Sequence, residues 1–117
     1  MNPRQYGAEG ERLAEAYLVE RGARILARNY RCPMGEIDLV VQMEGFTVFV
    51  EVKRRDGARY GRGAEAVGPR KQAHIARAAA WYSKSNRLAD ARMRFDVIEV
   101  MGDEIRHLRA AFYAKSR

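Results

Sequence analysis

The sequence predicts an α/β or α+β domain, a sheet with helices packed against it, and three observations carry that expectation. Two apolar runs of strand length, GEIDLVVQM and FTVFVEVK, stand either side of Glu44-Gly45 near the middle of the chain. A stretch at helical spacing precedes them and another follows them. Two further strand-like runs close the chain, so the coarse order is α-β-β-β-α-β-β. With 117 residues, 47% of them hydrophobic, the chain is the right size for one domain spanning 1–117 with a modest core. Its one cysteine, Cys32, excludes an internal disulfide and any multi-cysteine zinc site, and reads as a small loop residue.

Residues 5–22, QYGAEGERLAEAYLVERG, form the first predicted helix. Leu13, Ala14, Tyr17 and Leu18 make its apolar stripe, and Gly22 is placed to stop it. Glu11 and Glu15 lie one turn apart beside that stripe. A short strand follows over about 23–30, then a loop from Arg31 to Gly35 punctuated by Pro33 and Gly35.

The central hairpin is the most informative segment. A two-residue turn at Glu44-Gly45 puts Met43 opposite Phe46, Val40 opposite Phe49, Asp38 opposite Glu51 and Glu36 opposite Lys53. Alternation then gives Ile37, Leu39, Val41, Met43, Phe46, Val48, Val50 and Val52 one face, which must be core. The other face is apolar in its middle, at Val40 and Phe49, and charged at the end away from the turn. A helix is expected over the middle, with the charged end opening into a cleft.

Residues 54–70, RRDGARYGRGAEAVGPR, hold four glycines and five arginines and read as a mobile basic loop. The second helix is predicted from Pro69, which suits a first turn, to Lys84. Ile75, Ala76, Ala79 and Tyr82 face inward along it. RFDVIEVM and IRHLRAAFY are the last two strands, turning at Met101-Gly102-Asp103-Glu104. Asp96 in the first of these either caps or pairs with an arginine. His74 and His107 have no partner at ligand spacing and read as structural or surface residues.

The charged end of the hairpin carries the chemistry. Two carboxylates directly across a strand pair repel, and partial burial worsens the repulsion. Solvent, a proton or a cation can relieve it. Lys53 lies two residues beyond Glu51 on the same face and offsets part of the charge. Oxygen donors suit Mg²⁺ or Mn²⁺, so the expected ligands are Asp38 and Glu51, with the Val52 carbonyl as a further oxygen and Glu11 or Glu15 from the first helix completing the shell, Glu11 preferred because it sits nearer the helix start. Lys53 would stand beside an attacking water. The alternative is an ordinary solvent-facing charged hairpin.

Twenty-two Lys and Arg against fifteen Asp and Glu give a formal charge of +7, which attracts nucleic acid or other anionic partners. Arg54, Arg55, Arg59, Arg62 and Lys71 are the candidate contacts. Lys71 sits at a helix start, a natural place for phosphate, and Tyr60 could stack on a base. No run approaches the ~18 apolar residues of a membrane span, and the N-terminus lacks an apolar signal core. The expectation is a cytoplasmic protein with no membrane partner.

The segments GAEGERLAEAYLVERGARILARNYR, GEIDLV, FTVFVEVKRR, GPRKQAHIARAAAWY and RFDVIEV, in that order, resemble the YraN-like family of uncharacterised bacterial proteins. That family is similar to the archaeal Holliday-junction resolvases and the wider restriction-endonuclease-like superfamily. Its signature is an acid, a spacer and (D/E)-x-K on an αβββαβ core. The resemblance implies that fold, with Glu11 as the first-helix acid, Asp38 as the hairpin acid, Glu51 and Lys53 as the E-x-K pair, and Lys71 on the lysine-bearing helix. Ile37 stands where the superfamily's usual proline would precede the first acid. The implied activity is Mg²⁺-dependent phosphodiester hydrolysis on DNA, branched or junction DNA included, by a homodimer. The alternative on the same scaffold is a nucleic-acid-binding or adaptor protein without chemistry.

Overall fold

The computed structural model describes residues 2–55, 67–88 and 92–114. Its elements are α1 (Pro3–Glu20), β1 (Arg24–Cys32), β2 (Gly35–Met43), β3 (Phe46–Arg54), α2 (Pro69–Ser85), β4 (Met93–Met101) and β5 (Glu104–Phe112). The five strands form one sheet in sequential order. β3 and β4 are parallel, joined across α2, and the other neighbours are antiparallel. This is the αβββαβ order of a restriction-endonuclease-like core with one more strand at its end.

Local chemistry explains the boundaries. Asn2 caps α1 by accepting from Gln5 N–H, while the Gln5 side chain accepts from Asn2 N–H. Gly22, at φ +94°, ends it in the left-handed region where a side chain would strain. Glu44 and Gly45 both take positive φ, the primed turn whose twist matches a two-residue hairpin. The expected register follows: Met43 faces Phe46, Val41 faces Val48, Val40 faces Phe49 and Leu39 faces Val50.

The sheet separates two cores. Under α1, Ala14 and Leu18 pack on Leu39, Val41, Val48, Val50, Ile98 and Val100. Under α2, Ile75, Ala78, Ala79 and Tyr82 pack on Val40, Phe49, Phe95 and Val97. The helix expected over Val40 and Phe49 is therefore α2. β4 lies between neighbours on both sides and helices on both faces, so Phe95 through Val100 are all buried. Among the described residues no helix is long and apolar enough to cross a membrane.

Three expectations are corrected. The loop from Arg31 to Gly35 shrinks to two residues, because β1 continues to Cys32 and pairs Arg31 with Glu36 and Cys32 with Gly35. Glu36 accordingly forms an ion pair with Arg31 at 3.2 Å, not with Lys53. Ile37 joins the α2-side core, opposite to the face assigned by alternation. The regular β2–β3 ladder ends at Leu39 and Val50, so the strict two-residue period that sorted Ile37 with Leu39 no longer applies beyond that point.

Candidate metal and phosphodiester site at the parted hairpin

Where β2 and β3 separate, the Asp38 side chain replaces the missing backbone partner. Its Oδ2 accepts from Val52 N–H at 2.8 Å. The acid is thus held at the root of the hairpin, and the strands open beside it. Glu51, one residue before Val52, is 6% exposed and hydrogen-bonds Asp38. Two carboxylates can share such a bond only if one holds a proton. Burial first, then the hydrogen bond and the charge of Asp38, push Glu51 up to about 8. The sequence placed these two acids together through register. The structure brings them together through the end of register.

Two lysines work against that shift. Lys71, at the start of α2, puts Nζ 3.3 Å from Glu51 Oε2, and Lys53 acts on the same carboxylate through space. The Lys71 contact is an ion pair without hydrogen-bond alignment, since buried Oε2 has no hydrogen-bond partner. Lys71 was expected as a nucleic-acid contact, and its ammonium lies against the site carboxylate. Pro69 at the first helical position and the Gln72 amide donating to Val67 carbonyl oxygen at 2.7 Å fix the start of α2 that carries it.

From the other face of the sheet α1 brings Glu11. Its carboxyl is raised, first by burial and then by the charge of Asp38, while a hydrogen bond from the Asn29 side chain opposes both. Asn29 is a residue that sequence reasoning missed. It sits inside β1 at φ +48°, in the left-handed region. Asparagine is depleted in strands and tolerates that conformation better than most residues. An Asn in the middle of ARILARNY was the available signal.

The basic residues divide. Arg54 donates Nη1 to the Tyr6 carbonyl at 2.9 Å, lies 3.6 Å from Glu9 and stacks over the Tyr6 ring at 4.1 Å. Gly10 lets it pass, for a Cβ there would stand 3.2 Å from its Cδ. Arg55 lies 3.4 Å from buried Glu99. Both therefore hold the end of β3 against α1 and β4. Arg59, Arg62 and Tyr60 lie outside the described residues. His74 is exposed on α2, and His107 is an interior residue that hydrogen-bonds Asp96.

The donor set suits a hard divalent cation. It is all oxygen, it holds a buried carboxylate oxygen without a hydrogen-bond partner, and the raised pKa of Glu51 marks negative charge that a cation would offset. Among the described residues no three His, Cys, Asp or Glu side chains converge as a metal-binding group. The centre as it stands is the Asp38–Glu51 pair, with Glu11 beside it.

The fold and site define an α/β protein whose central hairpin parts around an acidic pair flanked by two lysines. By sequence the chain belongs to UPF0102, an uncharacterised protein family, whose model matches residues 10–100. A UPF0102 protein of Clostridioides difficile strain 630 is 41% identical over 114 residues, covering 96% of this chain and 100% of the relative. One from Lachnoclostridium phytofermentans is 44% identical over 115 residues, covering 97% and 98%. One from Syntrophotalea carbinolica is 46% identical over 110 residues, covering 91% and 89%. The YraN-like resemblance seen in the sequence is this family.

Proposed function

We propose that this chain is a Mg²⁺- or Mn²⁺-dependent nuclease that hydrolyses phosphodiesters in DNA, with branched and junction DNA as the first substrates to try. The observation that carries the reading is the Asp38–Glu51 pair, in which Asp38 is partly buried on Val52 N–H and buried Glu51 beside it holds an oxygen without a hydrogen-bond partner. A cation held there would polarise a phosphate and activate water. Asp38 and Glu51 would be its ligands, with Glu11 joining from α1. Lys71 would release Glu51 as the cation arrives and turn to the phosphate. Lys53 would stabilise charge developing on the phosphoryl oxygens. The formal charge of +7 supports an anionic polymer as partner.

A second reading, a nucleic-acid-binding or adaptor protein without chemistry, is favoured by one observation, the formal charge of +7, which attracts an anionic polymer without requiring cleavage. One assay separates the two. Nicked, flap, single-stranded and four-way-junction DNA are incubated with Mg²⁺ or Mn²⁺ and the wild-type, Glu51→Ala and Lys53→Ala proteins. The nuclease reading expects cleavage by wild type alone. Equal cleavage by all three sinks it, since a contaminant would then be the simpler source. Salt-dependent binding with no cleavage under any metal gives the second reading.

A further inference from the structure

A cleft of about 340 Å³ opens between α1 and β1 on the Glu11 side of the site, bounded by Glu11, Arg12, Glu15, Arg28 and Asn29 and floored by Leu39. Its composition is unlike that of a substrate pocket for a small apolar molecule. Two guanidinium groups and two carboxylates share its rim. Glu15 is held by Arg28 through both oxygens, Nε to Oε1 at 2.6 Å and Nη2 to Oε2 at 3.0 Å. That fork is the geometry in which arginine also takes phosphate, and only arginine presents it.

Position links this fork to the acidic pair. Arg28 pairs across strands with Leu39, the residue next to Asp38. Asn29, the next residue along β1, is the strained position that hydrogen-bonds Glu11. The Arg28 backbone therefore stands about one strand spacing, ~5 Å, from that of Leu39, and its side chain reaches Glu15 on the α1 side, the face from which Glu11 approaches the site. Arg28 is exposed enough to exchange partners, with 61% of its side chain open to solvent.

We propose that this cleft binds a backbone phosphate of the nucleic acid next to the one at the acidic pair, that Arg28 is its receptor with Arg12 in support, and that Glu15 occupies Arg28 in the phosphate's absence. The inference deepens the nuclease reading and rests on its nucleic-acid partner, but not on cleavage. Glu15 is then a built-in competitor. Removing its charge frees the fork, so a loss of one native ion pair should tighten binding. A merely structural pair predicts no gain beyond the weak, salt-screened effect of one charge removed, and no change of salt slope when Arg28 is replaced.

The test is equilibrium binding of a labelled flap-bearing DNA duplex, measured by fluorescence anisotropy with Ca²⁺ in place of Mg²⁺ over a salt series. Wild type is compared with Glu15→Gln, Arg28→Ala and Arg28→Lys, after thermal melts show that all four are folded. Glu15→Gln should bind more tightly, and Arg28→Ala about tenfold more weakly, the effect of one charge-assisted contact. The slope of log K against log salt should fall by about 0.9 in Arg28→Ala, one phosphate fewer. Arg28→Lys should keep the slope and lose part of the affinity, because the charge stays and the fork goes. Wild-type binding with Glu15→Gln unchanged or weaker, or with an unchanged slope in Arg28→Ala, overturns the phosphate site while leaving the nuclease reading intact. No DNA binding by wild type at low salt overturns both.

Discussion

Asp38 and Asp96 each accept a hydrogen bond from a backbone N–H fourteen residues further along the chain, from Val52 and from Ala110. Each does so where a strand ladder is broken, at the end of β2–β3 pairing and at the register shift between β4 and β5. From that common device the two centres diverge. Asp96 also receives both Nε and Nη2 of Arg94 at 2.9 Å and Nε2 of His107 at 2.7 Å. Burial alone would raise its pKa, but the bonds from His107, Arg94 and Ala110 outweigh that and hold it below the usual carboxylate value. An ionised Asp96 can only accept, so Nε2 of His107 carries the proton and its Nδ1 faces the Tyr17 hydroxyl at 3.3 Å. The network ties β4, β5 and α1 together. Asp38 has instead a second carboxylate for a neighbour, and the cost appears on Glu51, raised to about 8. One buried acid is satisfied and structural. The other is a pair in which Glu51 stays raised although Lys71 and Lys53 both act on it.

The largest effect should come from Asp96→Ala. It leaves the buried Arg94 charge and the Ala110 N–H without their acceptor, which should cost about 3–5 kcal/mol in urea unfolding. A loss below about 1 kcal/mol would mean that water replaces the carboxylate and that the two centres are less different than their geometry suggests. The acid limb of the stability curve should change with it. A depressed folded pKa contributes stability that is present above the unfolded carboxylate value and is lost as pH falls through the folded one. Asp96→Asn should therefore flatten stability below about pH 4.

Glu51→Gln should act in the opposite sense and at the opposite end of the scale. The folded pKa of Glu51 is raised, so its favourable contribution is complete below the unfolded value of 4.5 and is lost as pH rises through about 8. The Gln protein should be more stable than wild type by about 4 kcal/mol at pH 9 and close to it at pH 5, in metal-free buffer. Equal stability at both pH values would show that Lys53 and Lys71 already neutralise the pair.

The smallest change is expected from Asp38→Asn. The amide oxygen keeps the Val52 N–H and only the charge is removed, so stability should shift by less than about 1 kcal/mol. The informative readout is an NMR titration of the Glu51 carboxyl carbon. Its midpoint should move down from about 8, since one of the groups that raises it has gone. An unmoved midpoint would make burial the whole cause and would weaken the view of a coupled pair.

Much of this was legible in the amino-acid order. Glu44-Gly45 fixed a primed turn, the turn fixed the register from Leu39 to Met43, and the register sorted Val40 and Phe49 to the face that α2 covers. Pro69 and Gly22 marked helix ends through their own backbone limits. These are local effects, decided by residues within a few positions of one another. The acids of the site were legible as candidates for the same reason, because Asp38 and Glu51 follow from counting back from the turn.

What tertiary structure alone decided lies beyond the range of that counting. The ladder stops one pair before Asp38, so the carboxylate meets Val52 N–H and not a facing residue. The arginines of the β3 end divide between α1 and β4, since their partners Tyr6, Glu9 and Glu99 are distant in sequence. Lys71 reaches Glu51, and Glu11 comes near Asp38, only after two helices have packed on opposite faces of one sheet. Charge is written into the sequence, but its energy depends on burial and on donors from other elements. That is why the sequence by itself identified Asp38 and Glu51 as an acidic pair, and why only the folded chain separated them from Asp96, raising the pKa of Glu51 and lowering that of Asp96.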